Sequence, residues 1–161
     1  MRPVSERIAL VLFDRLQELA AQLNPNTVVS EVIRPTRMGD FTPKHNQIVM
    51  VQDDPVIDPV SSHPGNPPAI AWLQRFKVHC HVMPSEQDPT TLDELLNTFV
   101  ADVIKTVTVP QAGWHNMDGL AINTTIEGFE RIPPDGSFAG MTIVFAVLYR
   151  TDETSPYVVR A

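Results

Sequence analysis

Arg75-Phe76-Lys77-Val78-His79-Cys80-His81-Val82 alternates without a break. Successive side chains on a strand point to opposite faces. Phe76, Val78, Cys80 and Val82 therefore share one face, and Arg75, Lys77, His79 and His81 share the other. One face is core and the other is polar. A strand over 71–83 with this pattern requires a sheet covered on a single side, and the rest of the chain supplies the cover.

Upstream, Ile8, Leu12, Leu16, Leu19 and Leu23 recur at spacings of three and four, which predicts an amphipathic helix over 3–23. Pro3 suits its first turn and Asn24-Pro25-Asn26 stops it. Residues 27–34 are β-branched and end at Pro35, a strand signal. After a polar loop with Gly39 and Pro43, residues 47–52 form a second strand. Its near-continuous apolar run predicts burial on both faces, or one face covered by a neighbouring subunit.

Downstream, Pro84 and Pro89 bracket a turn, and Thr91 opens a second helix over 91–106, ended by Pro110 and Gly113. Thr91 and Glu94 have the spacing of a capping box, in which hydroxyl and carboxylate satisfy free backbone amides. Residues 120–131 and 137–150 then alternate as two strands joined by Pro133-Pro134-Asp135-Gly136, a hairpin. The second of these is apolar on both sides, which places it centrally. The order helix, strands, helix, strands predicts an α+β domain: a mixed or antiparallel sheet of about five strands with two main helices on one face.

Two segments are expected to be irregular. Residues 53–68 read as a long acidic, proline-rich loop carrying Asp53, Asp54, Asp58, His63 and Asn66. The polar stretch from 151 reads as a loosely held tail.

Composition narrows the function. The 161 residues fit one domain, and a chain of this size buries roughly 70% of the surface its unfolded form exposes. The net charge of −7 disfavours a broad basic face for reading duplex nucleic acid. One cysteine excludes an intrachain disulfide framework. The first residues lack the pattern of a signal peptide or membrane span, so folding in a cytoplasm is expected. Phosphate-cradling glycine loops, the nucleophile elbow Gly-x-Ser-x-Gly, Cys-x-x-Cys and His-Glu-x-x-His are all absent from the sequence.

The best chemical candidates are His79 and His81, two residues apart on one strand face and able to share a metal. A site needs at least one further ligand, for which His63, His115 and the aspartates of the acidic loop are the candidates. The preferred reading is two polar side chains on a solvent or partner face. Stoichiometric zinc lost on replacing both histidines would reverse that preference. Asp53, Asp54 and Asp58 lack the spacing and glycine of a calcium loop and read as a solvated acidic surface. Cys80 falls on the apolar face, where a thiol stays protonated and inert, so a Cys80 nucleophile with His79 or His115 is disfavoured. Trp114 reads as a core plug between helix and strand.

Over nearly its whole length the chain resembles the tail terminator (tail completion) proteins of long-tailed bacteriophages and prophages. The likeness rests on the opening helix and the strand 27–34. It continues through Gly65-Asn66-Pro67-Pro68-Ala69-Ile70-Ala71-Trp72 leading into Phe76-Lys77-Val78, the helix 91–106 and Trp114. It ends on Phe145-Ala146-Val147-Leu148-Tyr149-Arg150-Thr151 with Pro156-Tyr157. The resemblance implies an α+β subunit of a hexameric ring that caps the tail tube, stops its growth and presents a surface to the head connector. It implies assembly in the host cytoplasm, a place in the virion, and neither cofactor, membrane nor catalysis. Asp53, Asp54, Asp58, His63 and Asn66 are the candidates for subunit interface or lumen, where acidic groups let DNA pass without sticking. A head-completion or neck adaptor of the connector is the alternative structural role, and a metal-dependent enzyme built on His79 and His81 the alternative of another class.

Overall fold

The computed structural model describes residues 1–22, 28–35, 43, 45–84, 91–108, 113–133 and 138–160. Its elements run α1 (Val4–Ala20), β1 (Glu31–Ile33), β2 (Gln47–Gln52), β3 (Val56–His63), β4 (Ala69–Val82), α2 (Leu92–Thr108), a 3-10 turn (Trp114–Asn116), β5 (Asn123–Ile132), β6 (Ala139–Asp152) and β7 (Ser155–Val159). The strands join in one sheet along the path β1-β2-β4-β6-β5, with β3 added to β4 and β7 added to β6. β1 runs parallel to β2 and every other pair is antiparallel. The class is α+β with a mixed sheet, curled as a half-barrel.

The alternating stretch is the axis of this sheet. β4 and β6, 14 residues each, pair from Ala69 opposite Asp152 to Val82 opposite Ala139. β2 flanks the second half of β4, and β3 continues along its first half. β5 and β7 divide the far side of β6 in the same way. β6 is thus central over most of its length, which is why Ile143, Val144, Phe145, Ala146 and Val147 are all buried.

Phe76, Val78, Cys80 and Val82 form one core with Ile143, Phe145 and Val147 of β6 and Ile48 and Met50 of β2. Ile8, Leu12, Leu16 and Leu19 of α1 and Leu96, Phe99, Val103 and Val107 of α2 close it. Full burial of each such side chain is worth about 1.5–3 kcal/mol, so the amphipathic stripes dictate which sheet face the helices cover. Thr91 Oγ1 accepts the Glu94 N–H at 3.3 Å, one half of the expected capping box. No helix among the described residues is long and apolar enough to cross a membrane.

Two expectations are corrected. The segment 53–68 is not one long loop, because Val56–His63 pairs with β4. Proline cannot donate to a ladder and is tolerated at edges and irregularities; Pro59 lies where the register breaks between Asp58 and His63. The stretch from 151 is not a loose tail either. β6 runs to Asp152, turns at Glu153-Thr154, and returns as β7, with Asp152 opposite Ser155. These two strands raise the expected five to seven among the described residues. Leu23, the Asn24-Pro25-Asn26 stop, Gly39, Pro89, Pro110 and the turn at 134–136 lie outside the described residues.

Candidate functional site

The sheet face opposite the helices carries a row of polar side chains from β4. Arg75 grips Glu127 of β5 at two points, Nε to Oε2 at 2.6 Å and a terminal nitrogen to Oε1 at 3.1 Å. This pairing holds the Arg75 guanidinium firmly protonated. Lys77 Nζ lies 3.2 Å from Asp53 Oδ2. A groove of about 360 Å³ runs between these pairs, lined by Asp53, Arg75, Lys77, Glu127, Glu130 and Val144 among others. Both cations are matched by carboxylates, so among the described residues the groove presents no unpaired positive site to an anion.

Glu127 was not among the sequence candidates. The register shifts between Ile126 and Gly128, and the extra residue in the bulge is Glu127. Gly128 inside the strand pattern was the available signal, since a lone glycine there marks such a bulge.

His79 and His81 follow on the same face, their ring centroids 6.4 Å apart. His79 Nδ1 lies 2.7 Å from Thr142 Oγ1. Burial, with the nearby Lys77 charge, lowers its pKa below the ordinary histidine value. His81 is buried, edge-on to Phe138 at 5.4 Å, and its pKa falls to about 4, chiefly from burial and then from the His79 charge. Beside it stands Gly140, where a Cβ would sit 2.8 Å from Ile132 Cδ1 and 3.3 Å from His81 Cδ2. The bare backbone at Gly140 leaves room for the imidazole against β6. Among the described residues no group of three or more His, Cys, Asp or Glu is gathered to hold a metal ion.

Cys80 points the other way, into the core, as the alternation requires; burial pushes its thiol up to about 12. Trp114 is only half-buried, stacked at a tilt on the exposed His115. The plug between helix and strand is Met117 instead, fully buried three residues on. Met117 takes a left-handed backbone (φ 47°), which turns its side chain inward where the sequence pattern points to the larger aromatic.

The interface and lumen candidates do not form one cluster. Asp53 engages Lys77. Asp58 accepts from Ser61 Oγ at 2.6 Å and from the Val60 N–H at 3.1 Å, and the Ser61 hydrogen bond leads in holding its carboxyl below the usual range. Asp54 is exposed just before β3, and His63 and Asn66 are exposed at and beyond its far end.

Five of the nine exposed large apolar side chains among the described residues lie at one end of the sheet. Val56, Ile57 and Val60 stand on β3, and Tyr157 and Val158 on β7. These strands add to opposite sides of the same end of the β4–β6 ribbon. No protein-family model matches the chain, and no curated protein sequence matches it.

Proposed function

We propose that this chain is a virion structural subunit. Copies assemble as a ring, hexameric as in the tail terminators it resembles. The ring caps the tail tube, ends its polymerisation and joins the tail to the head connector. It carries no catalytic site or cofactor and acts through surfaces alone. DNA passes through the ring without sequence-specific binding, and exposed acidic groups keep phosphates from adhering. Its place is the neck of the particle, reached by assembly in the host cytoplasm.

The observation that supports this reading is the apolar surface left on β3 and β7, at two separate edges of one sheet. An exposed edge strand with large apolar side chains is a liability for a solitary protein and an asset for an assembling one. Two different edges favour a heterologous contact, the kind that closes into a ring. Light scattering of the purified protein, followed by imaging, tests the proposal. A sixfold ring is expected, seated in the particle between tube and connector. A monomer at every concentration and in the presence of tail tubes would end it.

A further inference from the structure

We infer that the β3 edge of one subunit packs against the β7 edge of the next copy, head to tail. The inference rests on the ring reading above and specifies the surfaces that make it. Val60 is 88% exposed, Val56 56% and Ile57 53%. On the other side, Tyr157 is 41% and Val158 44% exposed. These are five of the nine large apolar residues exposed among the described residues, all on two short strands at one end of the sheet.

The occupant is a second copy because the two edges complement each other and cannot meet within one molecule. β3 and β7 are separated by β4 and β6. Three strand spacings put them about 14 Å apart. Each edge therefore needs an external partner, and each copy carries both halves of the contact. Their charges differ, although Asp152 and the exposed Glu153 stand just before β7. Residues 53–63 contain Asp53, Asp54 and Asp58 and no lysine or arginine. Residues 155–160 contain Arg160 and no carboxylate side chain. Arg160 pairs with Asp152 of its own chain yet keeps 43% of its side chain exposed, so it remains open to Asp54 of a neighbour. Pro59 and the register break rule out an unbroken backbone ladder along β3. The contact is therefore side-chain packing of Val56, Ile57 and Val60 on Tyr157 and Val158, with charge at the rim. Because edge meets a different edge, each copy gives one surface and receives the other, and closure leaves neither exposed.

The test uses the buried Cys80 as a silent background. Val60→Cys and Val158→Cys are made as separate full-length proteins, and each is treated with a short bismaleimide, alone and after co-production with the other. The expected result is a covalent dimer at least about tenfold more abundant in the co-produced sample than in either variant alone. Equal cross-linking of Val60→Cys by itself would mean that β3 meets β3, and would overturn the inference. Absence of the mixed product from a preparation that still scatters as a ring would overturn this edge assignment and leave the ring reading standing. A monomer in every sample would overturn both. A product that forms only when tail-tube or connector protein is added would assign the edge to that protein and also overturn it.

Discussion

Arg15 of α1 and Asp118, 103 positions later, are joined at 2.7 Å, and this pair locks the connection after α2 onto the first helix. The Arg15 side chain is 3% exposed, with a second nitrogen 3.8 Å from Met117 Sδ. Met117, Asp118 and Gly119 all take left-handed backbone, with φ of 47°, 59° and 84°. Non-glycine residues resist that conformation, so the turn depends on being held. Removing the carboxylate strands a buried guanidinium, whereas removing both partners does not. Asp118→Ala is expected to cost about 1–3 kcal/mol in denaturant unfolding, discounted from fully buried pairs because Asp118 is half-exposed. Arg15→Met with Asp118→Ala should cost less than Asp118→Ala alone. The opposite order would show that the turn does not lean on this pair.

Gly140 faces a wall. A methyl group there meets Ile132 at Cβ, 3.0 Å, as well as at Cδ1, and the branch carbon cannot swing aside as a chain end would. Gly140→Ala should destabilise by about 1–3 kcal/mol, the range for overpacking a close-packed site. Adding Ile132→Ala should recover part of the loss. Unfolding midpoints of the two variants check this, and a Gly140→Ala variant as stable as the parent would remove the steric argument.

His81 predicts a pH dependence. Its folded pKa of about 4 lies below the ordinary value of 6.5, so the native state holds the neutral ring. Between those two values the unfolded chain binds more protons than the folded one, and stability rises with pH. The contribution is complete above 6.5 and is lost as pH falls towards 4. The difference of 2.5 units corresponds to about 3 kcal/mol at most. Carboxylates titrate over the lower part of the same window, so the comparison is with His81→Gln. The difference in unfolding free energy between parent and variant should shift by up to that amount between neutral pH and the folded pKa. A pH-independent difference would place the ring in contact with water.

Much of this architecture was legible in the sequence, and the exceptions have physical causes. Periodicity alone located both helices, because Ile8, Leu12 and Leu16 on one and Leu96, Phe99 and Val103 on the other each repeat with a helical turn. Alternation over 75–82 assigned the apolar face of β4, Cys80 included, but His81 on the polar side is buried beside Phe138 rather than open to solvent. β3 was hidden because Pro55 and Pro59 are strand breakers by composition, and only the edge position with its register break admits them. β7 was hidden because Glu153-Thr154 lacks the Asn-Gly chemistry of a tight hairpin. The candidate surface suffered most from these two omissions. Asp53, Asp54 and Asp58 were readable as one acidic stretch, but which of them stays available depends on Lys77 and Ser61, contacts that exist only after β3 folds.

Cys80 offers a direct readout of the core. Its thiol pKa of about 12, against an ordinary 9.0, lowers the thiolate fraction at mildly alkaline pH by roughly a thousandfold, and burial between Val78 and Val82 denies reagent access as well. Alkylation of the native protein by iodoacetamide should therefore be at least about a thousandfold slower than in denaturant, and should speed up when Gly140→Ala weakens the sheet. The coupling follows from register, since Gly140 and Met141 stand opposite His81 and Cys80 on the same pair of strands. If opening of that pair is the step that exposes the thiol, the labelling rate should rise by the same factor as the unfolding equilibrium constant. Labelling as fast in the native as in the denatured protein would mean that β4 does not bury its apolar face, and the assignment of the sheet's two faces would fall with it.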